Sequence, residues 1–156
     1  MRAMHHEKRK LSDEITLGLL QKGEHGILAL NGDDGYPYAV PITYSYFDGC
    51  IYFHSGKHGY KMDILTRNQK ACFSVILNVE VMPSKFSAKY ESIIVTGDIS
   101  FVEDKEEKNK ALEFLLDQFS PEHKEMGMKF VYGPFGEKTA VFKMTIKEIS
   151  GKGKYS

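Results

Sequence analysis

The sequence predicts a mainly β protein, an antiparallel sheet of about six strands closed into a small barrel with helices outside. Three observations predict it. Runs rich in β-branched and aromatic residues recur at 25–30, 36–47, 50–55, 71–79, 90–102 and 139–149. Asn31-Gly-Asp-Asp-Gly35 and Asp48-Gly49 are hairpin turn signals, so the first three runs fold back on one another. Helical periodicity is confined to short stretches between them, which suits helices flanking a barrel. The 156 residues are enough for a single domain with its own core.

Each element has its own signal. Residues 1–10 are polar and are expected to form a flexible arm. A helix follows around Ser12 to Lys22: Ser12, Asp13 or Thr16 can cap it, Ile15, Leu19 and Leu20 supply an apolar face, and Gly23 stops it. His25 to Leu30 is the first strand. Tyr36 to Phe47 is a long second strand that contains Pro37 and Pro41. A proline has no N–H for the ladder, so this strand belongs at an edge or a bulge. Cys50 to Ser55 returns. Tyr60 to Asn68 turns helical, with Ile64 and Leu65 toward the core. Ala71 to Val79 is an almost unbroken apolar run, short enough for a buried strand. Tyr90 to Val102 is another strand, bent at Gly97. Asp104 opens a helix, with Glu107 in capping-box spacing and a core stripe of Leu112, Leu115, Leu116 and Phe119. Pro121 ends it. Residues 121–137, with Gly127, Gly133, Pro134 and Gly136, read as loop. Thr139 to Ile149 is the last strand, and residues 150–156 form a basic tail. There is no internal repeat and no low-complexity segment.

Composition narrows the function. Apolar residues make up 42% and charged residues 27%, an ordinary soluble composition. The formal net charge is zero, which argues against a protein that holds nucleic-acid backbone. No run reaches the ~18 apolar residues of a membrane span. The charged N-terminus has no apolar region behind it, so no secretory signal is expected and a cytoplasmic protein is the default. Cys50 and Cys72 lie in apolar runs and read as buried thiols. The six histidines include no His-Glu-x-x-His motif, and no Cys-x-x-Cys occurs, so no metal site is expected. Gly-x-Ser-x-Gly is absent as well.

The most informative stretch is Gly49-Cys-Ile-Tyr-Phe-His-Ser-Gly-Lys-His-Gly-Tyr-Lys61. A strand ends in the polar pair His54-Ser55, a loop with two glycines follows, and a helix opens with Lys61. Unpaired N–H groups at a helix start beside an ammonium make a phosphate cradle. The same residues also suit a plain hairpin exit in which Gly56 and Gly59 take φ > 0 and Lys61 is solvated. His54 stands where a strand delivers side chains to a cleft, as a scaffold residue or a candidate catalyst. The nine tyrosines and ten phenylalanines either fill the barrel or wall a planar ligand.

The succession Asp34-Gly-Tyr-Pro-Tyr-Ala-Val-Pro-Ile-Thr-Tyr44, then Ile51-Tyr-Phe-His-Ser55 and Gly59-Tyr-Lys61, resembles the flavin-binding split β-barrels of the pyridoxamine 5'-phosphate oxidase type. It is most similar to their nitroimidazole-resistance (Nim-type) branch. Lys89-Tyr-Glu-Ser-Ile-Ile-Val-Thr-Gly97 and the helix Glu106-Glu-Lys-Asn-Lys-Ala-Leu112 match the second half of that pattern. The likeness runs from about Glu14 to Phe119. It implies an FMN-bound homodimer with two flavin sites at the subunit interface. It implies that Tyr38, Val40, Pro41, Ile42 and Thr43 run along the isoalloxazine, largely through their backbone. Phe53, His54 and Ser55 would approach the ribityl phosphate, Lys61 would contact it, and Ser92 would reach the flavin. Tyr44, Tyr46 and Phe47 are candidate walls. Tyr38 and Tyr60 stand where oxidases carry basic residues, so His54, Ser55, loop N–H groups and Lys57 or the tail lysines must share the phosphate. The activity implied is that of an FMN-dependent oxidoreductase reducing a small aromatic or nitro-type acceptor, with a nicotinamide as candidate donor. The alternatives are a non-catalytic flavin- or haem-binding storage module and pyridoxamine 5'-phosphate oxidation itself. The arginine- and histidine-bearing C-terminal segment of the oxidases has no counterpart in Thr139–Ser156.

Overall fold

A computed structural model describes residues 1–156. Its six strands are β1 (His25–Asn31), β2 (Pro37–Phe47), β3 (Cys50–Gly56), β4 (Lys70–Met82), β5 (Ser87–Phe101) and β6 (Thr139–Lys154). They close a barrel in the order β1-β2-β3-β6-β5-β4, with every neighbouring pair antiparallel. Helices α1 (Asp13–Lys22), α2 (Tyr60–Arg67), α3 (Lys105–Phe119), α4 (Lys124–Val131) and α5 (Pro134–Lys138) surround it. The expected split barrel of six antiparallel strands is therefore the observed fold. No helix is long and apolar enough to cross a membrane.

The hairpin turns form for the expected reason. Asp48 and Gly49 both take positive φ, 50° and 75°, which is the demand of a two-residue turn that matches strand twist. The bend expected at Gly97 is a register shift between Thr96 and Gly97 in the β5–β6 ladder. Period-two alternation sends Phe53, Phe73 and Phe142 inward, where their rings stack and cross at 5.2–5.3 Å between centroids. Helix α1 contributes Leu19 and Leu20 to the same core, and α2 contributes Met62, Ile64 and Leu65. The fully buried Tyr44 donates its hydroxyl to Leu20 O (2.7 Å), which ties α1 to the barrel; burial pushes this phenol's pKa upward.

Several expectations need correction. Ser12 caps α1 by accepting from Ile15 N–H, but Ile15 itself is exposed and Thr16 takes the buried place. The basic tail is strand: β6 continues to Lys154 beside β5. The end of the N-terminal arm is tied to it, because Lys10 bridges Lys152 and Leu11 N–H donates to Gly151 O. Strands β4 and β5 reach beyond the barrel as a two-stranded arm, since β1 leaves β4 at Ser74 and β6 leaves β5 at Tyr90. Cys50 and Cys72 are half-buried rather than buried. Residues 121–137 are not loop: they form a 3-10 turn and the helices α4 and α5. Glycines and a proline hide that pattern. Pro134 occupies the first turn of α5, where its missing N–H is harmless, and Gly127 lets α4 close on the Leu116 side chain of α3. In consequence the α3 stripe is divided. Leu112 is buried under α4, while Leu115, Leu116 and Phe119 are half-exposed.

Candidate functional site

The strand with the prolines is shared between two neighbours. Its first half, Pro37 to Thr43, pairs only with β1, and its second half, Tyr44 to Phe47, pairs with β3. Strand β3 meanwhile runs on from Phe53 to Gly56 beside β6. The two strands fork at Tyr44–Phe53, and a cleft opens between the free edge of β2 and residues His54 to Gly56.

The free edge can be read atom by atom. Tyr44 N–H donates to Glu24 O and Gly32 N–H to Tyr36 O, both at 3.1 Å and on the register line of the β1–β2 ladder. Backbone groups alternate sides along an antiparallel strand. Even-numbered residues of β2 therefore face β1, and Pro37, Ala39, Pro41 and Thr43 turn theirs to the cleft. Both prolines sit where the missing N–H breaks no ladder bond, which meets the edge expectation.

The side chains divide the same way. Tyr38, Val40 and Ile42 pack against the barrel core. Phe53 lies inside it with a relative exposure of 1%. The backbone groups of the three β2 residues face β1 as well, so the cleft is edged by their odd-numbered neighbours. Pro41 and Thr43 lie on the outer face. Tyr44 is core, Tyr46 packs against it, and Phe47 stacks between Tyr52 and Phe114 at 4.2 and 4.5 Å. None of these three aromatics walls the cleft, which corrects that expectation.

Helix α2 starts beside the fork. Gly59 precedes it at φ 123° and ψ 166°, a conformation essentially reserved for glycine. The helix bonds begin with Met62 N–H and Asp63 N–H donating to Gly59 O, so the N–H groups of Tyr60 and Lys61 lack intrahelical partners. Tyr60 meets Tyr38 edge-on at 4.8 Å, and its hydroxyl accepts from Asp33 N–H at 2.9 Å. Asp33 in turn pairs with Arg67 at 2.5 Å. Tyr60 thus pins the β1–β2 turn to α2, and the site lacks a second cation there. Ser55 donates its hydroxyl to Gly56 O (2.8 Å) and approaches Met62 Sδ (3.6 Å).

His54 faces outward, under α3. Its Nδ1 is buried and has no partner, and Ser45 Oγ shares that condition. Both residues line one small void of about 10 Å³. Burial, then the Lys61 ammonium, holds the imidazole pKa below the ordinary value of 6.5, so the ring is neutral at pH 7.

Within one chain the fold thus brings together Tyr38 to Thr43, Phe53 to Ser55, Tyr60 and Lys61. It does not bring Ser92 to them. Ser92 stands on β5, opposite Ile76 of β4 and Lys152 of β6. Lys57 lines a different groove, of about 460 Å³, with Lys108, Thr66 and Thr139. Lys108 donates to Gly136 O at 2.7 Å, and burial followed by Lys57 lowers its pKa. Ser45 and Lys108 were not legible as site residues. Ser45 sits in no recognisable motif and Lys108 lies within the matched helix without a role of its own there, and each acquires its place only through the packing of α3 to α5.

A six-stranded antiparallel barrel, forked between two strands and with a helix start facing the free edge, defines the split-barrel class. The chain belongs to the pyridoxamine 5'-phosphate oxidase family, whose profile matches residues 12–153. Among solved structures it is similar to a proposed 5-nitroimidazole antibiotic resistance protein from Bacteroides thetaiotaomicron, with TM-score 0.78 and 24% identity over 98% of this chain and 96% of that one. It is also similar to an FAD-binding protein from Mesorhizobium loti (TM-score 0.70, 23% identity, 94% and 98% covered). The FAD and haem binding protein from Mycobacterium smegmatis matches with TM-score 0.77 and 23% identity, over 96% of this chain and 75% of the other. Comparison with the curated proteins found no significant match. At these identities the structural likeness is one of fold.

Proposed function

We propose that the protein is a homodimeric FMN-binding oxidoreductase that reduces a small aromatic or nitro-type acceptor. The observation that carries the flavin reading is the fork. A planar heterocycle with a phosphate tail needs backbone donors and acceptors for its ring edge, and N–H groups and a cation for its tail. The free edge of β2 supplies the first, and the start of α2 with Lys61 supplies the second. When bound, FMN would supply hydride and electron transfer. The protein's part is to hold the ring edge with Thr43 and Pro41 backbone groups, to hold the phosphate with Lys61 and the Tyr60 and Lys61 N–H groups, and to keep His54 neutral beside them.

The homodimer follows from what one chain leaves open. The β4–β5 arm exposes Val79, Val81 and Phe86, the last at 98%, and Ile76 is exposed at its base. A lone two-stranded ribbon with such a surface is marginal in water. A second copy covers it and delivers Ser92 and the nearby Lys152 to the neighbour's cleft. The nitro-type acceptor is supported by likeness to the Bacteroides protein, and FMN rather than FAD by the short cradle with one cation. Oxidation of a vitamin phosphate is disfavoured, because Thr139–Ser156 carries no arginine or histidine.

The absorption spectrum of the purified protein tests the proposal. A yellow protein releasing FMN on denaturation is expected, as is turnover with a nicotinamide donor and a nitroaromatic. A colourless protein that takes up no added FMN would overturn the flavin reading. Bound flavin reduced by no donor would instead favour a storage module.

A further inference from the structure

We propose a second ligand site, for a small uncharged aromatic molecule bearing one hydrogen-bond acceptor, in the cavity between α3, α4 and α5. The cavity measures about 380 Å³, within the range of small-molecule sites. Leu112, Leu115 and Leu116 of α3 form one wall, and Phe130 and Val131 of α4 with Phe135 of α5 form the other. Phe130 and Phe135 meet edge-on at 6.3 Å and are each more than half exposed. Two exposed aromatic rings over a row of leucines are costly in water unless something apolar lies between them.

His54 is the cavity's one polar side chain. It also lines the void that holds Ser45, so its ring spans the two spaces. Two buried atoms there, His54 Nδ1 and Ser45 Oγ, have no partner. A space of about 10 Å³ is close to what one water occupies. A water donating to Nδ1 and paired with Ser45 Oγ satisfies both atoms and fixes the tautomer. The proton is then on Nε2, which donates to an acceptor on the ligand. The neutral ring offers no charge to an anion, and the remaining lining has no side-chain donor. Those facts select the ligand's chemistry: flat, apolar, uncharged, with one carbonyl, phenol or nitro oxygen.

The cavity lies outside the barrel under α3 and the β2 edge takes no part in it, while His54 is common to it and to the proposed flavin site. The test is a titration of the full-length protein, labelled with ¹⁵N at histidine, with 2-naphthol, naphthalene and 2-naphthoate. Saturable binding of 2-naphthol is expected, with a shift of His54 Nε2 and contacts from the Phe130 and Phe135 rings. His54→Ala should weaken it at least tenfold, and His54→Gln, which keeps a donor, should recover part of the loss. Naphthalene should bind wild type and His54→Ala alike, and 2-naphthoate should bind more weakly than 2-naphthol. Absence of saturable 2-naphthol binding overturns the proposal, as does binding without contacts from Phe130 and Phe135. A colourless protein that still binds 2-naphthol in this way sinks the flavin reading and leaves this one standing.

Discussion

Replacing Lys61 by alanine tests the phosphate end of the proposed site. Lys61 is half-buried on the second residue of α2 and close enough to His54 to depress its pKa. Neither of the neighbouring positions adds a cation, because Tyr60 is engaged with Asp33 and Tyr38, and Lys57 lines another groove. One ammonium therefore carries the charge-assisted contact, worth about 1–3 kcal/mol. That is a loss of roughly 5- to 150-fold in FMN affinity. The loss should stay partial, since the Tyr60 and Lys61 N–H groups and the helix dipole remain and contribute about 0.3–1 kcal/mol. Quenching of FMN fluorescence by the apoprotein measures the constant, and circular dichroism checks that the variant is folded. Lys57→Ala is the control and should change little. Equal affinity for wild type and Lys61→Ala would refute the reasoning, and so would a Lys57→Ala effect as large.

Three further outcomes follow from the same geometry. A histidine whose pKa is lowered on folding binds fewer protons than in the unfolded chain, so its contribution is intact above the ordinary value of 6.5 and is lost as pH falls through its lowered value. Urea midpoints measured from pH 7.5 to 5 should decline in the wild type and decline less in His54→Gln; identical slopes would remove His54 from the account. Glu107 accepts from Lys143 Nζ (2.5 Å) and Tyr52 hydroxyl (3.0 Å), and its pKa is lowered chiefly by the bond from Lys143. Glu107→Ala breaks both half-exposed contacts and should cost about 1 kcal/mol in a urea titration. Val81→Asp together with Phe86→Asp should turn a dimer into a monomer by sedimentation, and weaken flavin binding with it. A dimer unaffected by both charges would place the interface elsewhere.

The first three strands were legible because their turns are chemically specified. Asp48-Gly49 allows few alternatives, and Pro37 and Pro41 announce an unpaired edge. The side-chain directions in the site were not read: strand alternation buries Phe53 and turns His54 outward, although both were expected at the phosphate. The α4–α5 layer was not. Gly127, Gly133, Pro134 and Gly136 are loop-like one at a time, and they serve here as a close approach, a cap, a first-turn proline and a close approach again. The stripe on α3 could not be divided without that layer, since only α4 decides that Leu112 is covered and Leu115 is not. Glu107 shows the limit of a motif. Asp104 caps α3 by accepting from Glu107 N–H (2.8 Å), yet the Glu107 side chain leaves the capping box for Lys143 and Tyr52 on the strands beneath α3.

The pattern of the free edge argues for a small ring rather than another strand. A strand adding to β2 would need a donor at every second residue, at 37, 39, 41 and 43. Prolines remove two of those four, so Ala39 and Thr43 keep their N–H groups and the edge is protected against pairing. What survives at the fork is local: the Pro41 carbonyl and the Thr43 N–H, because the Tyr44–Phe53 pair that closes the β2–β3 ladder engages the Thr43 carbonyl. One acceptor and one donor over so short a span suit the edge of a heterocycle. In the proposed site the two prolines thus act both against strand pairing and for ligand choice. Restoring a donor by Pro41→Ala would test this division of roles, by promoting self-association while leaving the Thr43 contact in place.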